Sequence, residues 1–347
     1  MAVIQWGKHP NVAANDWSRR WLQMQADLGL AQNTIDAYGR GLEEFLCFVA
    51  LIDTSFPKIN RERIAAYVRF LRTKPGDEHR SVIRIDSMSR LSSATLQQRL
   101  TVVRLFYDFL MEEQQCERNP VGRGRYTPGK AFGSDTQRGL IPRERKLPWI
   151  PDEAAWQRLI KIVAGKSIRT RLMFAMGYDG ALRREELCLL RSLDVDPARQ
   201  LLKIRAETTK NRLERVVPYT ATTGSLYRVY LDERRKLSRD RGLLFLSVSP
   251  RNRTKPISIW TWSKIVKKLA DEAAIREFRT HTLRHLRLTD LARAGWDIHE
   301  IATYAGHRSI QTTLRYIHLS GRELARKITH LADLEQRRLR QLIEVSK

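Results

Sequence analysis

Toward the C-terminal end of the chain, residue types that can act on a phosphate crowd together. His281-Thr282-Leu283-Arg284-His285 is followed by Gly306-His307 and then by Tyr316, set within Thr312-Thr313-Leu314-Arg315-Tyr316-Ile317-His318. Arginine and histidine donate hydrogen bonds to phosphate oxygens. A tyrosine becomes a nucleophile when its phenol is aimed at an electrophile and helped to lose its proton. The expected chemistry is therefore attack of Tyr316 on a phosphate, and the rest of the chain has to position the two.

The totals say which phosphate. With 63 Lys and Arg against 38 Asp and Glu, the chain carries a net charge of +25 and a pI near 10.5. A surplus of that size makes a polyanion the expected partner, with a ribosome-associated or peripheral membrane protein as the bland alternative. At 347 residues the chain has room for about two domains, and a hydrophobic fraction of 42% supports real cores. No apolar run approaches the ~20 residues that span a bilayer. The opening Met1-Ala2-Val3-Ile4-Gln5-Trp6 meets Lys8 and His9 without the apolar core of a signal peptide. Cys47, Cys116 and Cys188 are scattered and lack CxxC spacing, as core thiols of a reducing compartment would be. The expectation is a soluble, cytoplasmic protein.

The elements follow from periodicity. Residues 1–11 read as a tail, and residues 12–120 as an all-helical domain. Its helices carry Trp21, Met24 and Leu28; Ile35, Tyr38, Leu42, Phe45 and Val49; Ile64, Val68 and Leu71; and Leu96 to Phe109, the last capped by Ser93. A polar, basic interruption covers 73–92. Asn119-Pro120 closes the unit, and 121–147, with Gly122-Arg123-Gly124-Arg125, Pro128-Gly129 and Pro142, reads as a flexible basic linker. A second domain spans 148–320, with Pro151 suited to the first turn of its first helix. Helices are expected over 152–164, 168–178, 183–191, 222–238, 260–274, 282–294, 297–304 and 309–317. Leu201 to Arg205 and Leu213 to Val217 change to strand-like period and form a hairpin with Lys210 near its tip. Residues 321–347 read as an amphipathic tail helix, with Leu324, Ile328, Leu331, Leu334 and Leu339, docking on its own domain or on a neighbouring copy. The fold class is thus mainly α with a small β-hairpin: a helical domain followed by an α+β domain.

From Gly180-Ala181-Leu182-Arg183-Arg184-Glu185-Glu186-Leu187 onward the chain resembles the tyrosine recombinases, the phage-integrase family. The first family box is matched by Leu182-Arg183 and Glu186-Leu187. Lys210 lies eight residues before Pro218, as the family's hairpin lysine does before its Val-Pro pair. His281 to His285 match the His-x-Leu-Arg-His box, Gly306-His307 the Gly-His box, and Tyr316 follows nine residues after His307. The likeness covers about 150–320, and the N-terminal helices are similar to the family's SAM-like core-binding domain. Ala181 departs from the usual Gly, Arg184-Glu185 from a more apolar pair, and Ala305 from the usual Leu.

The resemblance implies a site-specific recombinase or integrase of the Xer or transposon-integrase kind, cleaving and rejoining DNA through a 3′-phosphotyrosyl link without metal, ATP or another cofactor. By the same resemblance Arg183 and Arg284 clamp the phosphate, Tyr316 attacks, Lys210 protonates the leaving oxygen, His281 is the acid/base partner of the tyrosine hydroxyl, and His307 donates to the phosphate. Double-stranded DNA is the implied partner, with a homotetramer on two sites and related recombinases or DNA-bending proteins as further ones; no membrane is expected.

Other readings set the comparison. A regulator that kept the fold and lost catalysis would lack part of the residue set, and a type IB topoisomerase-like relaxase would act as a monomer. His281 and His285 have the spacing of a helical zinc pair, but no Glu follows His281. Gly165-Lys166-Ser167 mimics a phosphate loop, yet Ile160 stands where its first Gly belongs. Glu186 is expected to orient Arg183, His285 to pack near the site, and Trp260 and Trp262 to serve as core or DNA-backbone packing. Tyr178, Tyr219 and Tyr304 carry the same phenol as Tyr316 but not its spacing.

Overall fold

A computed structural model of the chain describes residues 2–73, 91–121, 141, 147–209 and 211–319. The chain forms two compact units, Met1–Arg145 and Lys146–Lys347. Lys210, the interruption at 74–90, most of the linker and the tail from 320 lie outside the described residues.

The first unit is helical: α1 (Pro10–Ala14), α2 (Asp16–Asp27), α3 (Gln32–Leu51), α4 (Arg61–Thr73) and α5 (Ser93–Glu112). Their starts are set by side-chain caps. Asn15 accepts from the Ser18 amide at the head of α2, and Ser92, rather than Ser93, accepts from the Thr95 amide at the head of α5. Either serine suits a cap by type, and the hydrogen bond to the amide three residues on decides between them. The buried stripes meet around Trp21, Phe45, Tyr67, Phe106 and Tyr107, with edge-on contacts such as Phe45 to Tyr67 at 5.2 Å. Rings of this size are the largest single contributors to such a core, at roughly 2–3 kcal/mol per fully buried side chain.

The expected tail at 1–11 is instead built into this unit. The Gln32 amide pairs with Val3 in both directions, at 2.8 and 2.9 Å. Ala2, Ile4 and Trp6 pack against the core, and Val12 is buried in it. His9 is buried on Gly39, where an added Cβ would lie 2.5 Å from the imidazole. Single residues docking one at a time leave no period to read. Part of the expected linker behaves likewise: Val121 and Ile141 are buried in the same core, and Gln97 donates to the Ile141 carbonyl at 3.2 Å.

The second unit contains α6 (Glu153–Ala164), α7 (Ile168–Asp179), α8 (Arg184–Cys188), β1 (Val195–Asp196), β2 (Leu201–Ile204), β3 (Arg215–Pro218), α9 (Ala221–Leu237), α10 (Ile259–Glu272), α11 (Thr280–Arg293), α12 (Ile298–Ala305) and α13 (Ile310–Leu319). Asp152 caps α6 through the Ala155 amide at 2.8 Å, so Pro151 precedes the helix instead of opening it. The expected hairpin is present, Leu201 pairing with Pro218 and Ile204 with Arg215. The short β1 adds a third antiparallel strand along β2. α8 ends at Cys188, earlier than expected, because Leu189 to Asp194 turn to feed β1. α7 is buried on nearly every side, through Leu172, Met173, Phe174 and Met176, and carries the core against which α9 and α11 pack. None of the described helices is long and apolar enough to cross a membrane.

Candidate active site

The site is assembled where the ends of α8, α12 and β3 meet α11 and α13. α12 stops at Gly306, which takes the left-handed conformation at φ 63°. An L side chain there is strained, and its Cβ would also stand 3.1 Å from the Arg215 guanidinium. This explains the glycine of Gly306-His307 on steric grounds. The turn presents backbone carbonyls inward: Gly306 accepts from Asn211 Nδ2 at 3.3 Å and from Arg183 Nη2 at 3.4 Å, and Ala305 accepts from Arg284 Nη2 at 2.6 Å.

Two arginines from separate helices converge on that turn. Arg284, one turn into α11, is 3% exposed, and its other terminal nitrogen donates to Ala181 at 2.7 Å. Ala181 is itself left-handed, at φ 45°, a conformation easier for the glycine usual in the family. Burial first, and then Arg183 beside it, lower the Arg284 pKa to about 10, so it stays cationic at neutral pH. Arg183, at the head of α8, pairs with Glu186 Oε1 at 2.7 Å.

Glu186 is 1% exposed and serves two cations. It receives Arg183, as expected from the sequence, and also Arg215 of β3, at 2.6 and 3.1 Å. Burial alone would raise its pKa; the hydrogen bonds and charges of Arg215 and Arg183 outweigh that and hold it near 2. Arg215 further donates to the Tyr304 carbonyl at 3.1 Å. Among the described residues, three guanidiniums thus crowd this junction around one buried carboxylate. The surplus positive charge suits an incoming anion. Arg215 was not singled out from the sequence; its only signal was a charged residue in a strand that otherwise alternates toward a core.

The histidines and the tyrosine line the adjoining side. Tyr316, on α13, is 4% exposed. Its ring stacks parallel to His307, with centroids 6.0 Å apart, and its hydroxyl lies 3.0 Å from His285 Nδ1. The sequence assigned that contact to His281. One turn further along α11 brings His285 to α13, whereas His281 is exposed, its ring 6.4 Å from that of His285. His307 also bonds Thr313 Oγ1 at 2.9 Å. Burial, then Arg284 and Arg183, hold His307 near pKa 3. Burial, then His281, Arg284 and Arg315, hold His285 near 4. Lost hydration and then Arg284, Arg184 and Arg183 lower His281 as well. Burial raises the Tyr316 phenol above its ordinary 10, against the pull of Arg284, Arg315 and Arg183.

The other tyrosines are committed elsewhere: Tyr178 to Asp290 at 2.8 Å, Tyr219 to the Asp196 carbonyl at 3.3 Å, and Tyr304 to the Asp179 carbonyl. Trp262 belongs to the core, while Trp260 is 68% exposed beneath the Arg184 guanidinium, 5.4 Å from its ring centre.

Comparison with known proteins decides the family. The phage integrase family matches residues 152–323, and the phage integrase N-terminal SAM-like domain matches 20–114. The chain belongs to the phage integrase family. Among its relatives, tyrosine recombinase XerD of Caulobacter vibrioides is 28% identical over 327 residues, covering 89% of this chain and 93% of that protein. Tyrosine recombinase XerC of Herpetosiphon aurantiacus is 26% identical over 306 residues, covering 86% and 88%. In fold the chain is similar to the XerH site-specific recombinase bound to a palindromic difH substrate, with a TM-score of 0.65 at 18% identity over 85% of this chain and 79% of that one. As a member of this family the protein is an enzyme that cleaves and rejoins DNA strands, and DNA is its partner.

Proposed function

We propose that strand cleavage here runs through Tyr316, with Arg183 and Arg284 holding the scissile phosphate. The observation that carries this is the stacking of the Tyr316 ring on His307, directly after the turn whose Ala305 and Gly306 carbonyls are held by Arg284 and Arg183. Attack by Tyr316 Oη on phosphorus breaks the bond to O5′ and leaves a 3′-phosphotyrosyl link. The two guanidiniums neutralise charge building on the non-bridging oxygens, and being held against carbonyls and Glu186 they need little reorganisation to do so. His307 and His281, from the Gly-His turn and the exposed start of α11, supply further hydrogen bonds to the phosphate. The departing O5′ takes its proton from Lys210, whose neighbour Asn211 is tied to Gly306. The phosphotyrosyl ester conserves the energy of the broken bond, so a 5′-hydroxyl from another strand reverses the step without ATP.

The biological reading that fits is site-specific recombination of the Xer or transposon-integrase kind, by two dimers assembled as a tetramer on paired DNA sites. The test is a duplex nicked beside the cleavage position, so that the short 5′-hydroxyl strand diffuses away and traps the covalent complex. Wild type should accumulate a protein–DNA adduct and Tyr316→Phe none; an adduct that persists in Tyr316→Phe overturns the assignment. Exchange between two labelled duplexes separates recombination from relaxation by a monomer.

A further inference from the structure

The chemistry above needs the Tyr316 proton to leave as the bond to phosphorus forms, and the group touching that hydroxyl is not the one the family pattern points to. His285 Nδ1 lies 3.0 Å from Tyr316 Oη, with the two rings 5.7 Å apart. We infer that His285 is a further catalytic residue, the base that takes the phenol proton directly from Tyr316. The inference rests on Tyr316 being the nucleophile.

Geometry and surroundings support it together. His285 sits on α11 and Tyr316 on α13, helices that pack on each other, so the contact is held by the fold and not by a chance rotamer. The Thr289 hydroxyl bonds back to the His285 carbonyl at 2.8 Å, one turn on. The groups acting on the imidazole are His281 and Arg284 from its own helix and Arg315 from α13, with His307 beyond the tyrosine ring. Burial first, and then these neighbours, keep the imidazole neutral at pH 7, and a neutral ring carrying its hydrogen on Nε2 offers the Nδ1 lone pair to the phenol. The step balances as follows: the Oη–H proton passes to Nδ1, the oxygen electron pair forms the Oη–P bond, and the P–O5′ pair leaves on O5′, which takes a separate proton. The incoming phosphodiester also brings negative charge against the surrounding arginines, which favours the imidazolium that results. On religation Nδ1 returns the proton to the tyrosine.

The test uses the full chain and the nicked trapping duplex under single turnover. Asparagine places an acceptor close to the Nδ1 position without offering a base. His285→Asn should therefore bind DNA and melt like wild type yet form adduct about 10²–10³-fold more slowly. Its rate should climb with pH as free phenolate takes over. A substrate with sulfur in place of the scissile O5′ needs no proton on its leaving group, and should leave the His285→Asn defect in place while restoring Lys210→Ala. A His285→Asn rate within about threefold of wild type, or rescue of that variant by the sulfur substrate, overturns the inference. His285→Gln, read by the same two assays, serves if the asparagine variant does not fold. Loss of adduct in Tyr316→Phe with normal rates in His285→Asn sinks only the base; an adduct in Tyr316→Phe sinks the nucleophile itself.

Discussion

Gly306 shows how much rests on one missing side chain. Its φ of 63° and the Arg215 guanidinium 3.1 Å from any added Cβ bar alanine twice over, by backbone strain and by contact. Gly306→Ala should lower stability by about 1–3 kcal/mol and cut adduct formation more than DNA binding, because the turn carries carbonyls that hold Arg183 and Arg284. Paired urea denaturation and trapping assays would check this, and an unchanged denaturation midpoint would count against it. The histidines make a second prediction. His285 and His307 titrate near 4 and 3 in the folded chain instead of 6.5. Above pH 6.5 both folded and unfolded chains hold them neutral. Below it the unfolded chain binds protons that the folded chain refuses, so stability falls as the pH drops from about 6.5 toward 3–4. Glu186, moved from 4.5 to about 2, adds a loss in the same direction below pH 4.5. Urea midpoints measured from pH 7.5 to 4 should decline steadily, and a flat profile would contradict the burial of these groups.

At the scale of elements, the catalytic unit is tied together by a carboxylate. Glu186 on α8 grips Arg215 on β3, and Arg215 reaches the Tyr304 carbonyl on α12. Removing one partner of a buried pair leaves the other charge unpaired in a poor dielectric, so Glu186→Gln should cost about 3–5 kcal/mol. It should also release Arg183 from its pairing, and adduct formation at saturating DNA should fall even where the variant is folded. Chemical denaturation with a trapping assay below the unfolding transition measures both. The helices themselves were legible because their apolar faces repeat at helical spacing. Their contacts were not: Ser92 and Ser93 differ as caps only in which hydroxyl meets the Thr95 amide, and Val3, Trp6 and His9 dock one residue at a time.

For the whole molecule, the charge of +25 sets how the protein meets its partner. Binding to duplex DNA should weaken steeply with salt, by roughly 10³–10⁵ between 50 and 200 mM if 6–10 phosphates are neutralised. Fluorescence titrations over a salt series would show it, and a shallow log–log slope would mean that base contacts carry the affinity instead. The division of the chain into a helical unit and a second unit with a small sheet could be read from composition and period, and the family from the spacing of its boxes.

Sequence by itself supplied the candidate residue set from Arg183 to Tyr316, because spacing along a chain is preserved whatever the fold, and it fixed the cationic character that favours a polyanion. Tertiary structure alone decided who touches whom. Arg215, 29 residues from Glu186 along the chain, becomes its second cation. His285, 31 residues before Tyr316, displaces His281 as the neighbour of the phenol. In both cases the contact depends on how separate elements dock, the strand β3 on α8 for Arg215 and α11 on α13 for His285. A helix turns 100° per residue and a strand alternates its faces, so which of several histidines or arginines faces a partner depends on how those elements are docked, and that docking is set by core side chains far from the chemistry.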